Sequence, residues 1–236
     1  GADMITCITF DLDGTLVDTA REIAEAANRT LLEIGLPRRD TADVTQLIGH
    51  GTRELMLGLL RQAAQSAADD ALRTWIEQLD HEAVMQCFEQ HYGDTTGTDS
   101  QLYPGVQTGL DQLRQAGIRM ACVTNKELRF ATKVLAVTGL ATYFPIVIGG
   151  DSLPQKKPDP SVIQYCLDAL NVDQLNAAHV GDSSIDVETA KRAGVAAWAL
   201  PYGYNGGRPI EDAQPDHVFA TVAEVASHVL ALRMAA

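Results

Sequence analysis

Apolar positions change their spacing along this chain. Residues 5–10 form a short β-prone run that breaks at Asp11-Leu12-Asp13-Gly14-Thr15. From about residue 19 to residue 90 the apolar positions fall at helical spacing: Ile23, Ala26, Ala27, Thr30, Leu31 and Ile34, then Leu55, Leu59 and Leu60. Gly35 and Pro37 stop the first of these helices. Residues 63–79 and 82–92 read as further helices, and nothing in this span patterns as a strand. After a polar stretch at 93–101 the two periods alternate. Helices are expected over 106–116, 127–137, 161–170, 185–193 and from 222 onward. Strands are expected over 119–124, 146–148, 178–180, 196–199 and 218–219.

Strands that alternate with helices predict an α/β fold, a doubly wound parallel sheet (a Rossmann-like core) covered on both faces. The all-helical span then reads as an inserted α-helical cap. The expected division is 1–17 and 97–236 for the catalytic core and 18–96 for the cap. Gly1 to Asp3, ahead of Met4, read as a remnant outside the fold.

Composition narrows the function. Of 236 residues, 46% are hydrophobic and 21% charged, the balance of a globular protein with a sizeable core. Eighteen basic residues face 31 acidic ones, a net charge of -13. Such a field disfavours nucleic acid and anionic membranes as partners. It also repels small phosphorylated metabolites, so a phosphate site must be built locally from a cation and a few lysines. Cys7, Cys87, Cys122 and Cys166 form no Cys-x-x-Cys pair and read as reduced thiols. No stretch patterns as a signal peptide or a membrane span, and the expected location is cytoplasmic. Without coiled-coil heptads, monomer and homodimer are both open.

The candidate chemistry begins after the first strand. Ligand sites of open parallel sheets lie at the carboxyl ends of strands, where Asp11 and Asp13 stand. Two residues apart in extended backbone, both side chains can lean to one side. Hydrolysis of phosphate monoesters is among the slowest uncatalysed reactions, and a carboxylate nucleophile divides it into two displacements. A divalent cation has to lie between nucleophile and phosphate, and a second carboxyl serves the leaving oxygen and then the water. Asp11 fits the nucleophile and Asp13 the acid/base. The plainer alternative is a turn built from Asp and Gly.

Asp11-Leu12-Asp13-Gly14-Thr15-Leu16-Val17-Asp18 resembles the first motif of the haloacid dehalogenase superfamily. That resemblance implies three further features. Thr124, ending a core strand, offers a hydroxyl and a backbone N–H to phosphate, with Asn125 beside it; a helix cap is the alternative. In Gln155-Lys156-Lys157-Pro158, the resemblance favours Lys157 as the phosphate-neutralising residue and leaves Lys156 as a solvated loop lysine. In Gly181-Asp182-Ser183-Ser184-Ile185-Asp186, Asp182 joins Asp11 and the Asp13 backbone carbonyl on Mg2+, whose taste is for oxygen ligands. Asp186 then orients a water or Lys157.

Two segments, 151–155 and 202–210, are similar to bacterial phosphoglycolate phosphatases. They imply hydrolysis of 2-phosphoglycolate to glycolate and phosphate. A sugar-phosphate phosphatase or a β-phosphoglucomutase on the same scaffold is the alternative, and a non-catalytic phosphate- or magnesium-binding module a more distant one. For the substrate carboxylate, Ile48-Gly49-His50-Gly51-Thr52-Arg53 is the expected reader, through Arg53 and His50. The plainer alternative leaves both on the surface.

Overall fold

Cys7–Phe10 (β1) is buried along its whole length, as a central strand of a parallel sheet must be. The computed structural model describes residues 4–235; Gly1 to Asp3, read above as a remnant, and Ala236 lie outside them. After β1 the chain runs through Val17–Asp18 (β2) into the helices Ala20–Glu33 (α1), Thr41–Thr45 (α2), Thr52–Gln65 (α3), Asp70–Glu77 (α4) and His81–Thr95 (α5). It returns through Gln101–Leu102 (β3) to Val106–Gln115 (α6), Arg119–Val123 (β4), Leu128–Val137 (α7), Ile146–Ile148 (β5) and Ser161–Leu170 (α8). Ala177–Gly181 (β6), Ser184–Ala193 (α9), Ala196–Ala199 (β7), His217–Val218 (β8) and Val222–Ala235 (α10) complete it.

The six-stranded sheet has the order β5-β4-β1-β6-β7-β8, and every pair is parallel. The α/β expectation therefore holds. Alternate residues of each strand serve opposite faces. Ile8, Phe10, Met120, Cys122, Ala178 and Val180 pack with apolar residues of α6, α7 and α10. Cys7, Ala121, Val123, Ala177 and Ala197 pack with those of α8 and α9. A third apolar cluster belongs to α1–α5 and takes Phe130 from α7. Its members include Ile23, Ala26, Ala27, Leu31, Leu55, Leu59 and Leu60, the positions whose spacing marked the helices.

Two expectations fail locally. The helix expected over 63–79 is broken: α3 ends at Gln65, and Asp69 starts α4 by accepting a hydrogen bond from the Leu72 N–H (2.8 Å). A carboxylate at that position satisfies a donor that a continuous helix would bond internally. The polar stretch at 93–101 also ends in a strand, β3, which pairs antiparallel with β2 (Val17 with Leu102, Asp18 with Gln101).

Candidate active site

Strand order reverses at β1: β4 and β5 lie on one side of it, β6 to β8 on the other. The crevice of a doubly wound sheet opens at such a point, beyond the carboxyl ends of the strands. Asp11 follows β1, Thr124 follows β4 and Asp182 follows β6, so three separate sequence segments converge there. Asp11, Asp13, Thr124, Asn125 and Asp182 line one cavity. Its opposite wall comes from the helical span, including Ile23, Ile48, Leu55 and Tyr92.

The Asp11 backbone N–H bonds the Val180 carbonyl (2.9 Å), fixing the residue to the end of β6. Its Oδ1 accepts from the Leu12 N–H (2.7 Å) and pairs with Lys157 Nζ (3.0 Å). Lys157 is buried and also donates to Asp186 Oδ1 (2.8 Å). Behind it, His179 Nε2 meets the same Asp186 oxygen (2.8 Å) while Nδ1 meets Thr9 Oγ1 (2.7 Å). The other Asp186 oxygen accepts from the Asp182 and Ser183 N–H groups and from Ser183 Oγ. Both Asp186 oxygens are thus engaged, and the residue anchors Lys157.

Asp182 is held by Thr15 Oγ1 (2.9 Å) and by the Tyr204 N–H (2.6 Å). Gly14 and Gly203 make this approach possible. Gly14 has φ +83°, and a Cβ on it would lie 2.2 Å from Asp182 Oδ2. A Cβ on Gly203 would lie 2.2 Å from the Gly14 carbonyl. The glycine that the sequence marks as a sharp turn therefore also leaves space for a carboxylate.

Electrostatics at the site are dominated by crowded, desolvated charge. Burial, reinforced by the Asp186 charge, pushes Asp11 well above the usual carboxylate range, against the pull of Lys157. The same two causes push Asp182 up to about 7. Burial would also raise Asp186, but the Lys157 ammonium and the His179 ring outweigh it, and the net shift is strongly downward. Lys157 is itself held charged: burial opposes the ammonium, and Asp11 and Asp186 more than compensate. Asp11, Asp182 and Asp186 bring carboxylate oxygens within 4.8 Å of one another. Burial and the Asp186 charge raise two of these carboxyls, and the donors are all oxygen. That is the donor set and the electrostatic deficit a hard divalent cation answers.

The structure separates the expected cap residues from the rest. Arg53 turns away to the surface and pairs with Glu82 Oε1 on α5 (2.7 Å), with about half of its side chain exposed. His50 is exposed, and its carbonyl accepts a hydrogen bond from Lys156 Nζ; Lys156 is an exposed loop lysine, as expected. Asn125 does line the cavity, yet its amide is committed to backbone. Nδ2 donates to the Gly49 and Lys157 carbonyls and Oδ1 accepts from the Lys157 N–H, each at 3.0 Å.

Three contributors are absent from the sequence reading. Lys126, next to Asn125, is buried and donates to Asp13 Oδ1 (2.6 Å), where Thr19 Oγ1 also donates (2.5 Å). Thr15 and Tyr204 are the supports of Asp182. A charged residue directly beyond a buried strand end was the available signal for Lys126. Tyr204 sits in the 202–210 segment, where only the resemblance drew notice.

Residues 8–200 match the model of the haloacid dehalogenase-like hydrolases. A plasmid-encoded phosphoglycolate phosphatase of Cupriavidus necator is 41% identical over 201 residues, 85% of this chain and 83% of that one. The phosphoglycolate phosphatase of Vibrio vulnificus strain CMCP6 is 37% identical, covering 96% of both chains. Among solved structures, a predicted phosphoglycolate phosphatase from Haemophilus somnus 129PT superposes with a TM-score of 0.85 at 30% identity, over 94% of this chain and 97% of that one. The chain belongs to the haloacid dehalogenase-like hydrolase family, as a phosphoric monoester hydrolase.

Proposed function

We propose that the protein hydrolyses 2-phosphoglycolate to glycolate and phosphate through an aspartyl-phosphate on Asp11, with Mg2+ as cofactor. The observation that carries this reading is the pairing of two carboxyls at one strand end with two different buried lysines: Asp11 with Lys157 and Asp13 with Lys126. Each carboxyl has its own buried ammonium, which suits two carboxyls with separate roles. The choice of substrate draws on the relatives' names.

An Asp11 oxygen attacks phosphorus, and the bond from phosphorus to the ester oxygen breaks. Asp13 gives its proton to that oxygen. Asp13 then takes a proton from water as the water attacks the phosphorus of the aspartyl-phosphate, restoring Asp11. Lys157 and Thr124 hold phosphoryl oxygens throughout, and Asp186 and Asn125 hold Lys157. Asp11, Asp182 and the Asp13 carbonyl are the residues for the cation, which supplies charge neutralisation between nucleophile and phosphate.

In this reading residues 18–96 form a cap that covers the site and excludes water. No helix among the described residues is long and apolar enough to cross a membrane. Free thiols at all four cysteines suit a reducing, cytoplasmic setting.

The test is a panel of 2-phosphoglycolate and sugar phosphates with Mg2+, for wild type and Asp11→Asn. Wild type should prefer 2-phosphoglycolate, lose activity in excess chelator, and fall at least 1,000-fold on Asp11→Asn. Better rates on hexose phosphates would replace the substrate, and an active Asp11→Asn would remove the nucleophile.

A further inference from the structure

Lys126 has only 2% of its side chain exposed, yet it lines the cavity. Its Nζ lies 2.6 Å from Asp13 Oδ1 and 5.3 Å from the centre of the Tyr92 ring. An ammonium carries three N–H donors, and Asp13 is the one carboxylate paired with it among the described residues. The other buried lysine at the site, Lys157, is divided between Asp11 and Asp186. From the helical span, the cavity receives Ile23, Ile48, Leu55, Thr52, Tyr92 and the backbone of Gly49 and Gly51, none of them cationic, while Arg53 is turned to Glu82. Among the described residues that line the cavity, Lys126 is the one basic side chain, and so the one full positive charge from the protein that can meet an anionic leaving group there.

Resting on the phosphatase reading above, we infer that Lys126 is the specificity-determining residue, and that it selects phosphate esters whose leaving group carries a carboxylate one carbon from the ester-bearing carbon or closer. The constraint is one of reach. Asp13 must lie within a hydrogen bond of the ester oxygen, and Lys126 lies within a hydrogen bond of Asp13. Asp13 Oδ1 already accepts from Lys126 and Thr19, so Oδ2 serves the ester oxygen. Two hydrogen bonds of about 2.7 Å and the about 2.2 Å between carboxylate oxygens limit the separation of ester oxygen and ammonium to about 7.6 Å. In an O–CH2–carboxylate unit the ester and carboxylate oxygens are about 3 Å apart, so a hydrogen bond from Nζ closes well inside that limit. Each further methylene carries the extended carboxylate toward or beyond the limit and adds a rotor to immobilise. A charge-assisted hydrogen bond of this kind is worth tenfold to a hundredfold in specificity.

The experiment compares 2-phosphoglycolate, 3-phosphooxypropionate and ethyl phosphate as substrates of the Mg2+-loaded full chain, in wild type, Lys126→Gln and Lys126→Arg. The quantity read is the ratio of kcat/KM between substrates. Wild type should favour 2-phosphoglycolate over ethyl phosphate by at least tenfold and over the longer acid by at least fivefold. In Lys126→Gln the preference over ethyl phosphate should fall at least tenfold, mainly through KM, and Lys126→Arg should restore part of it. Equal losses on both substrates would mean that Lys126 serves Asp13 alone, overturning this inference while leaving the proposed activity intact. A wild type indifferent to the carboxylate would overturn both. If circular dichroism shows Lys126→Gln unfolded, the wild-type spacing series decides: indifference between the two acids overturns the inference.

Discussion

Replacing Tyr204 by phenylalanine removes one oxygen from a crowded position. The hydroxyl accepts from the Thr19 N–H (3.0 Å) and the Ala20 N–H (3.1 Å), and it donates to Asp18 Oδ1 (2.6 Å). Thr19 is the N-cap of α1 and makes no side-chain capping bond, so Tyr204 caps this helix from a distant loop. Without the hydroxyl, the Ala20 N–H keeps Asp18 Oδ1 (3.2 Å) but the buried Thr19 N–H loses its partner. An unsatisfied buried donor costs about 1–3 kcal/mol and a lost hydrogen bond to a carboxylate about 1.5 kcal/mol. Their combined cost is about 2.5–4.5 kcal/mol. With an unfolding entropy near 2.1 cal/mol/K per residue, a chain of this length loses about 2 °C of Tm per kcal/mol, so Tm should fall by about 5–9 °C. Calorimetry measures it. Phosphatase kcat should stay within about threefold, because the Tyr204 N–H still holds Asp182. A Tm within 1 °C of wild type would refute the capping role.

Asn125→Ala should leave the buried Lys157 N–H and carbonyl without their partner and let the lysine loop drift. We expect kcat to fall about tenfold to a hundredfold with a smaller change in KM, measured by steady-state phosphate release. For the thiols, burial pushes Cys7 up to about 11 and Cys166 up to about 12, and burial with the Glu33 charge pushes Cys87 up to about 11. A raised thiol sheds its proton only above the ordinary range, so at pH 8 about one thiol in a thousand is ionised at Cys7 and Cys87 and about one in ten thousand at Cys166, where an unshifted one would be about one in ten. Native protein should resist iodoacetamide at pH 8 and react faster toward pH 10, first at the half-buried Cys87; peptide mass spectrometry after quenching reads this.

What could be read from the sequence follows from how local each signal is. Asp11, Thr124 and Asp182 each stand directly after a strand whose period is plain, with Asp13 two residues beyond Asp11, so their convergence follows from parallel topology; Lys157, in the loop between β5 and α8, is legible only through the motif around it. Arg53 shows the opposite case. It is the second residue of α3, and only the packing of α5 places Glu82 within reach and draws the guanidinium outward. Lys126 and Asp13 are 113 positions apart, and no spacing rule links them. The break between α3 and α4 was hidden because alanines on both sides continue the helical texture, and the capping Asp69 outweighs it. β2 and β3, of two residues each, are too short to alternate and exist only as each other's partner.

That small ladder has an evolutionary consequence. The chain leaves the sheet layer at β2 and comes back at β3, so the two ends of the helical span emerge side by side. Glu22 on α1 tightens the junction by accepting from the Gly97 and Asp99 N–H groups and Ser100 Oγ. A segment whose ends are neighbours can be lengthened, shortened or exchanged without moving the strands that carry Asp11, Thr124 and Asp182. Selection can then reshape what covers the site as a separate trait from the residues that bind and break the ester. An exchanged helical span need only reproduce one pair of short strands and one buried acid to be housed on the same chemistry.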